Sequence, residues 1–356
     1  VIDRVNCTYY QKGTCKACEK FCPTGAINFA QEDEIMNVEV GAVLLATGWK
    51  LFDARRIPNY GYGRLANVFT SMEFERLSNA SGPTGGNIVL RDGKTTPKSV
   101  AIVHCVGSRD KHYNNYCSSI CCMQSLKFAH LVHEKTGATV YNLYIDIRTP
   151  GKAYDEFYQR LIEEGTLFVR GKVAEITDAA RNPGEEGKLI VQVEDTLIGK
   201  QRRLPVDMVI LSAGIEPQSD AKEVAKRFGI SCSFDGWFIE KHPKLDPVAT
   251  MTEGIYLAGC AQGPKDIPAS VAQGAAAAAR IIGKIQQKEI ALEPVRATVN
   301  EDQCSGCRIC TTMSPFSAII FHDDRMVTEV NPALCQGCGT CVAACPAGAI
   351  SGTGFS

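Results

Sequence analysis

Eleven of the seventeen cysteines in this chain fall into three runs with the spacing of iron–sulfur ligands. The clearest is Cys335-x2-Cys338-x2-Cys341-x3-Cys345, closed by Pro346. Thiolates three residues apart on a tight loop grip one cluster, while the fourth cysteine, followed by proline, reaches a neighbouring cluster. Zinc sites rarely continue to a third and fourth cysteine at this spacing. Upstream, Cys304-x2-Cys307-x2-Cys310 repeats the pattern, but its fourth place holds Ser314, followed by Pro315. Crossed fourth ligands assign Cys304, Cys307, Cys310 and Cys345 to one complete cluster. Cys335, Cys338 and Cys341 then hold a second, with Ser314, water or nothing in the fourth place. That cluster is expected as a 3Fe–4S form or as a labile 4Fe–4S form of shifted potential.

The third run is Cys7-x7-Cys15-x2-Cys18-x3-Cys22-Pro23. Its end resembles half a bacterial ferredoxin, and Ala26-Ile27 follows it as Ala349-Ile350 follows Cys345. Cys7 lies further upstream than a ferredoxin pattern predicts, yet four cysteines suffice for one cluster; the alternative is a zinc ribbon. Disulfides are not expected, since no signal-peptide pattern is read in the sequence and 356 residues need no staples. The chain is therefore expected to carry electrons in a reducing, anoxic cytoplasm. It opens Val1-Ile2-Asp3 without an initiator Met, as a trimmed chain or an internal fragment would.

Composition narrows the partners. A net charge of −1 offers no field for nucleic acid or an anionic membrane. No apolar run approaches the roughly 18 residues of a membrane span. Hydrophobic residues at 45% and charged ones at 22% are an ordinary globular balance, and the length suits two or three domains.

The elements that must position the cysteines read as α/β. Val38 to Ala46 is an apolar strand ending in Ala46-Thr47-Gly48, a turn seen in flavoproteins with two dinucleotide domains. Ser99 to Cys105 reads as a strand, Met123 to Lys135 as a helix and Thr139 to Ile147 as a second strand, together a βαβ unit. In a Rossmann unit the first strand-to-helix turn carries G-x-G-x-x-G, so that backbone N–H groups meet a pyrophosphate. Here the fingerprint is absent and Cys105, Cys117, Cys121 and Cys122 occupy the turn. A buried metal cluster in the vacated crevice is expected instead of a second nicotinamide; single core cysteines are common, but four in eighteen residues are not explained that way. Residues 165–215 read as β-rich completion of that domain, with a turn at Pro183–Gly187 and a buried strand from Asp207 to Ser212. Gly254 to Cys260 reads as another strand with a glycine turn. The loop Gly263-Pro264-Lys265-Asp266-Ile267-Pro268 then leads to a helix over Ala269–Ile285, whose N-terminus would face a phosphate or a ring carbonyl. Cys260 stands where flavin disulfide reductases carry a ribityl-binding Asp, and Cys232 reads as a core or surface thiol.

At this point nearly the whole chain resembles the A subunit of heterodisulfide reductases, the flavin-based bifurcating component of methanogens and their bacterial relatives. The resemblance rests on Tyr9 to Gly13, Thr70 to Arg76, Ser81 to Gly86, Cys105-Val106-Gly107-Ser108-Arg109-Asp110, Cys117 through Lys127, Asp246 to Thr250 and Gln262 to Pro268. It implies FAD in a thioredoxin-reductase-like fold with two dinucleotide domains and ferredoxin-like modules at both ends. It also implies a cluster on Cys105, Cys117, Cys121 and Cys122 close to the flavin, with Lys127 and either Glu73 or Glu75 near the isoalloxazine. Flavin contacts are expected at Ala46, Thr47, Gly48, Gly259, Cys260, Lys265, Asp266, Ile267 and Pro268. The expected segments are 1–36 (first cluster), 37–98 (FAD domain), 99–215 (Rossmann-like), 216–294 (FAD-domain return) and 295–356 (two clusters).

Full-length relatives also begin with a G-x-G-x-x-G half and more ferredoxin sequence, neither present here; either another chain supplies the ADP side of FAD or this sequence is part of a longer product. The expected function is an oxidoreductase component that splits or merges electron pairs at FAD, with about four 4Fe–4S clusters as relays. Its expected partners are other heterodisulfide-reductase-like subunits, a hydrogenase or dehydrogenase input module and ferredoxin. The rival reading is a wiring subunit without flavin. Thiol–disulfide exchange at Cys121 and Cys122 fits poorly, because adjacent cysteines form strained bridges and no C-x2-C turn opens a helix.

Overall fold

The computed structural model describes residues 2–32, 34–287, 295–316, 318–332 and 334–353. The chain divides into two compact units, Val1–Gly41 and Ala42–Ser356. In the first, α1 (Thr8–Lys12) and α2 (Ala17–Phe21) flank the cysteine loop. The Tyr9 ring lies 4.0 Å from that of Phe29, and Tyr10 Oη donates to the Phe29 carbonyl at 3.0 Å. Phe29 is the one buried hydrophobic residue described in this unit. So small a core cannot hold forty residues together, and ligand bonds from the cysteines are what would supply the missing stability.

The second unit opens with β1 (Val43–Leu45) and β2 (Trp49–Leu51). The strand expected from Val38 is therefore shorter. Val38 and Val40 are exposed and belong to the first unit, since no described strand pairs with them. Next come β3 (Val68–Thr70), α3 (Ser71–Ser78), β4 (Ser99–Val106), α4 (Cys121–Thr136), β5 (Thr139–Tyr144), α5 (Tyr154–Glu163) and β6 (Leu167–Arg170). A meander of β7 (Val173–Thr177), β8 (Leu189–Asp195) and β9 (Lys200–Val206) leads to β10 (Met208–Ala213). Five strands form one parallel sheet in the order β3-β10-β4-β5-β6. Val68–Thr70 pairs with Val209–Leu211, so the domain expected to begin at residue 99 takes its edge strand from the preceding segment.

The two faces of this sheet explain its near-continuous apolar strands. Val100, Ile102, Val140 and Ile210 pack under Leu126, Phe128 and Val132 of α4 and Leu161 of α5. Ala101, Val103, Leu143 and Val209 pack on Val191, Val193 and Val206 of the meander. Strand β4 lies between β5, reached through α4, and β10. The crevice at the carboxyl end of β4 is thus the topological switch point, where doubly wound sheets place ligands.

Beyond this sheet, β11 (Ile215–Pro217) pairs antiparallel with β2, and α6 (Ala221–Phe228) follows. Strand β12 (Ile255–Leu257) pairs parallel with β1 and feeds α7 (Ile267–Gln286). The terminal module consists of β13 (Arg296–Val299), α8 (Ile309–Met313), β14 (Ile319–His322), β15 (Val327–Val330), α9 (Thr340–Ala344) and β16 (Ile350–Thr353). It pairs β13 with β16 and β14 with β15, around a small core of Ala297, Cys310, Ile319, Cys341 and Ile350. Among the described residues no helix is long and apolar enough to cross a membrane.

One glycine fixes the loop after β4. Gly107 has φ 72°, and a side chain there would run into the buried Phe52 ring. Gly107→Ala is expected to destabilise the fold by about 2–4 kcal/mol, as left-handed strain plus overpacking, measured by chemical denaturation.

Candidate iron–sulfur and flavin sites

The switch-point crevice holds the four cysteines that displace the glycine fingerprint. Cys105, the penultimate residue of β4, has φ 56°, and Arg109 and Ser119 are also left-handed, at 55° and 60°. Each such residue costs on the order of 1–3 kcal/mol and persists only where its surroundings over-determine it. They do so here. Ser108 and Ser118 share a buried 2.6 Å hydrogen bond, Ser118 Oγ accepts from the Ile215 N–H at 3.0 Å, and Asn114 Nδ2 donates to the Gly107 carbonyl at 2.8 Å. A side chain at Gly214 would strike both serines.

Cys121 and Cys122 occupy the first turn of α4, where free N–H groups and the positive end of the helix dipole favour thiolates. Cys121 Sγ lies 4.0 Å from the Ala213 carbonyl oxygen at the end of β10, and Cys122 Sγ lies 3.8 Å from that of Asp146. Burial pushes the Cys105 thiol up to about 11, reinforced by Cys122 and Cys117 and opposed by Arg109. Burial, then Cys105, Cys122 and Cys117, pushes Cys121 up as well. Cys122 is raised by burial, with Cys117 adding to it and Arg109 and Arg148 opposing. Cys121 thus feels each of the other three cysteines.

This donor set fits a cluster: two thiols at the α4 N-terminus, one on β4 and one on the loop between them, with Arg109 and Arg148 near enough to offset the charge they would gain on ligation. Among the described residues no three His, Cys, Asp or Glu side chains close round a single ion. The cube of a 4Fe–4S cluster spaces its thiolates wider than one ion does.

In the terminal module Cys304 Sγ and Cys310 Sγ lie 3.7 and 3.6 Å from the Thr328 hydroxyl. The Gly306 N–H holds the Cys304 thiol below its usual range. Cys335 Sγ accepts from the Ala297 N–H at 3.3 Å. Burial, then Cys335 and Cys338, raises the Cys341 thiol, so these three act as a group. Cys310, Cys341, Cys335 and Cys345 pack into one small core, while Cys307 and Cys338 are exposed. Ser314 lines a cavity together with Cys335, Cys338 and Cys341. In the first unit Cys7 caps α1, Cys15 precedes α2, Cys18 is the second residue of α2 and Cys22 its C-cap. Cys22 Sγ accepts from the Ala26 N–H at 3.3 Å; the Thr24 hydroxyl first and this N–H second hold the thiol low.

The residues expected around a flavin come together at the carboxyl ends of β1 and β12. Ala46, Thr47 and Gly48 follow β1, and Gly259 follows β12; the two turns are joined by the Ala258 N–H donating to the Leu45 carbonyl at 3.1 Å. Cys260 Sγ donates to the Lys265 carbonyl at 3.3 Å. Lys265 Nζ donates to the carbonyls of Gly259 and Gly263 and to Gln262, and burial pushes its ammonium down. Asp266 caps α7, its carboxylate accepting from the Ala269 N–H at 2.8 Å, and Ile267 and Pro268 form the first turn. Sequence reasoning missed Gln273, whose Oε1 accepts the Gly259 N–H at 2.8 Å and pins this turn to α7. Cys232 lies half-buried against the core of Ile230 and Phe238.

Lys127 and its carboxylate partner are distinguished by geometry. Lys127 Nζ donates to Glu75 at 2.6 and 2.7 Å. Glu73 is occupied elsewhere: it accepts from the Thr70 N–H at 2.8 Å, closing a capping box on α3, and from Arg91 at 2.6 Å. Burial works to raise the Glu73 carboxyl, but Thr70 and Arg91 together hold it below its usual value. Lys127 lies about 7.5 Å along the α4 axis from Cys122, on the same rigid element.

The protonated thiol of Cys105 makes the metal-free fold pH-sensitive. Its proton is held more tightly in the fold than in the unfolded chain, from 9.0 up to about 11. Its stabilisation is complete below the lower value and lost as pH rises through the higher one. Denaturant titration of the metal-free chain is expected to show falling stability across that window, and Cys105→Ala to flatten the fall. Cys122→Ala is expected to remove one cluster's worth of iron, read by anaerobic iron quantitation, and leave the terminal clusters in place.

Residues 328–351 match the family model of the 4Fe-4S binding domain. The chain is 45% identical over 308 residues to the A subunit of the H(2):CoB-CoM heterodisulfide,ferredoxin reductase of Methanothermobacter thermautotrophicus, covering 86% of this chain and 46% of that one. It is 47% identical over 297 residues to the second of two iron-sulfur A subunits of the CoB–CoM heterodisulfide reductase of Methanopyrus kandleri, covering 83% and 45%. The chain spans about half the length of the curated relatives it matches. Among solved structures, thioredoxin reductase from T. acidophilum aligns at 15% identity with a TM-score of 0.43, covering 69% of this chain and 66% of that one. Over the span it shares with these relatives, the chain belongs to the family of heterodisulfide reductase A subunits.

Proposed function

We propose that this chain is an electron-transfer iron–sulfur flavoprotein component of a heterodisulfide-reductase-like complex in the cytoplasm. FAD, when bound, exchanges electron pairs for single electrons, splitting or merging them, and the clusters relay the single electrons to ferredoxin or partner subunits. The observation that carries the reading is the four-thiol group at the switch point, where a nicotinamide-binding loop would otherwise lie. The same helix carries Cys121, Cys122 and Lys127, so the cluster and the lysine are held at a fixed separation.

Each residue then has a part in the chemistry. Thr47, Gly48 and Gly259 leave two open turns side by side for the flavin to rest on. The Lys127 ammonium stabilises negative charge on a reduced flavin, and the Glu75 carboxylate opposes it. Arg109 and Arg148 offset the negative charge of the crevice cluster. The partners proposed are other redox subunits, one of them a hydrogenase or dehydrogenase input module, a chain or segment that binds the ADP side of FAD, and ferredoxin.

The rival to this reading is a wiring role without flavin. Anaerobic flavin and iron quantitation on the complex containing this chain separates the two: about one FAD per chain is expected, and iron without flavin would leave only the wiring role.

The Lys127–Glu75 pair supplies a finer prediction. It is partly exposed, so breaking it costs at most about 1 kcal/mol of stability. Lys127→Ala is expected to lower the two-electron flavin midpoint potential and Glu75→Gln to raise it, in redox titrations at fixed pH, with melting temperatures nearly unchanged.

A further inference from the structure

The three positions that precede a proline in the cysteine runs share one backbone geometry. Cys22, Ser314 and Cys345 are the C-caps of α2, α8 and α9, with φ/ψ of −76°/111°, −76°/111° and −77°/109°. Each of these helices is five residues long, and its second residue is a cysteine: Cys18, Cys310 and Cys341. Ser314 thus stands, turn for turn, where a fourth cysteine stands in the other two runs. Its side chain is also held alike. Ser314 Oγ accepts from the N–H of Ala318 at 3.2 Å, as Cys22 Sγ accepts from that of Ala26 at 3.3 Å. An N–H aimed at a ligand atom stabilises its deprotonated form. Finally, Ser314 lines one cavity with Cys335, Cys338 and Cys341, the three thiols left without a fourth partner once Cys345 serves the other cluster.

We propose that Ser314 Oγ is the fourth protein ligand of the cluster held by Cys335, Cys338 and Cys341. This rests on the cluster-carrying reading above and decides among the alternatives that the sequence leaves open: serine, water or nothing. The Ser314 O–H bond breaks as the iron–oxygen bond forms, and the proton leaves to water. A C–O bond is shorter than a C–S bond, so the oxygen stands further back than a sulfur would, and the iron facing it is the most easily lost of the four. Oxygen is also a harder donor than sulfur and favours the more oxidised iron. The cluster is therefore a full 4Fe–4S centre of lower potential than an all-cysteine equivalent, and the two terminal clusters are unequal by virtue of their ligands.

The test uses the full chain, reconstituted anaerobically with iron and sulfide, as wild type, Ser314→Ala and Ser314→Cys. Iron per chain, EPR spectra and the midpoint potential of this cluster are read, with the cluster on Cys304, Cys307, Cys310 and Cys345 as internal control. The wild type and Ser314→Cys are expected to hold equal iron, with the potential higher in Ser314→Cys. Ser314→Ala is expected to lose one iron per chain and to show the oxidised signal of a 3Fe–4S centre. A wild type that already shows the 3Fe–4S signal, or a Ser314→Ala chain identical to it in iron, spectrum and potential, would overturn the proposal. A wild-type chain that holds no cluster at all would overturn the cluster-carrying reading with it; clusters indifferent to position 314 overturn this inference alone.

Discussion

Burying thiols that must later lose their protons is the constraint on which the larger unit depends. In the crevice at the end of β4, Cys121 and Cys122 are buried and Cys105 and Cys117 half-buried, and burial favours the neutral form. Ligation reverses that preference by exchanging protons for iron. The α4 N-terminus, Arg109 and Arg148 bring positive potential to the same crevice, with Arg109 also paired to Asp146 at 2.7 Å. The left-handed backbone at Cys105, Arg109 and Ser119 falls at the same strand-to-helix turn.

The sheet supplies what the loop cannot. A parallel strand flanked on both sides by neighbours, with α4 on one face and the meander on the other, fixes where β4 ends. The serine pair Ser108–Ser118 and the bare Gly214 backbone then tie the loop to the end of β10. A nucleotide-binding fold needs glycine here so that backbone can approach phosphate. This chain keeps one glycine, Gly107, for the turn itself and gives the remaining space to sulfur.

Much of this was legible in the sequence because cysteine spacing and apolar periodicity are local signals. The βαβ strands and helix fell within a few residues of their expected ends. What could not be read was long-range pairing. Val68–Thr70 is only three residues, too short for a periodic signal, and it joins the sheet through β10, some 140 residues later in the chain. The choice between Glu73 and Glu75 was hidden for a similar reason. Both lie in one helical turn, and only the capping box and the distant Arg91 commit Glu73 and leave Glu75 to Lys127. Gln273 and Thr328 carried no motif at all, since their roles depend on the turns that fold against them.

The terminal module is fastened to the segment between β11 and β12 rather than tethered. Ser231 Oγ donates to the Pro315 carbonyl at 3.0 Å, and Gln336 Nε2 donates to the Met251 carbonyl at 2.9 Å. Pro315 follows Ser314 directly, and Gln336 follows Cys335, so both contacts grip the loops that present ligands to the cluster on Cys335, Cys338 and Cys341. The other cluster, on Cys304, Cys307, Cys310 and Cys345, has no such bond from its loops to that segment among the described hydrogen bonds. Tunnelling between redox centres falls steeply with distance, so a relay needs fixed separations, and these bonds fix the end of the module that carries the serine. Those bonds hold the loops that carry Ser314 and Cys335 against the segment between β11 and β12.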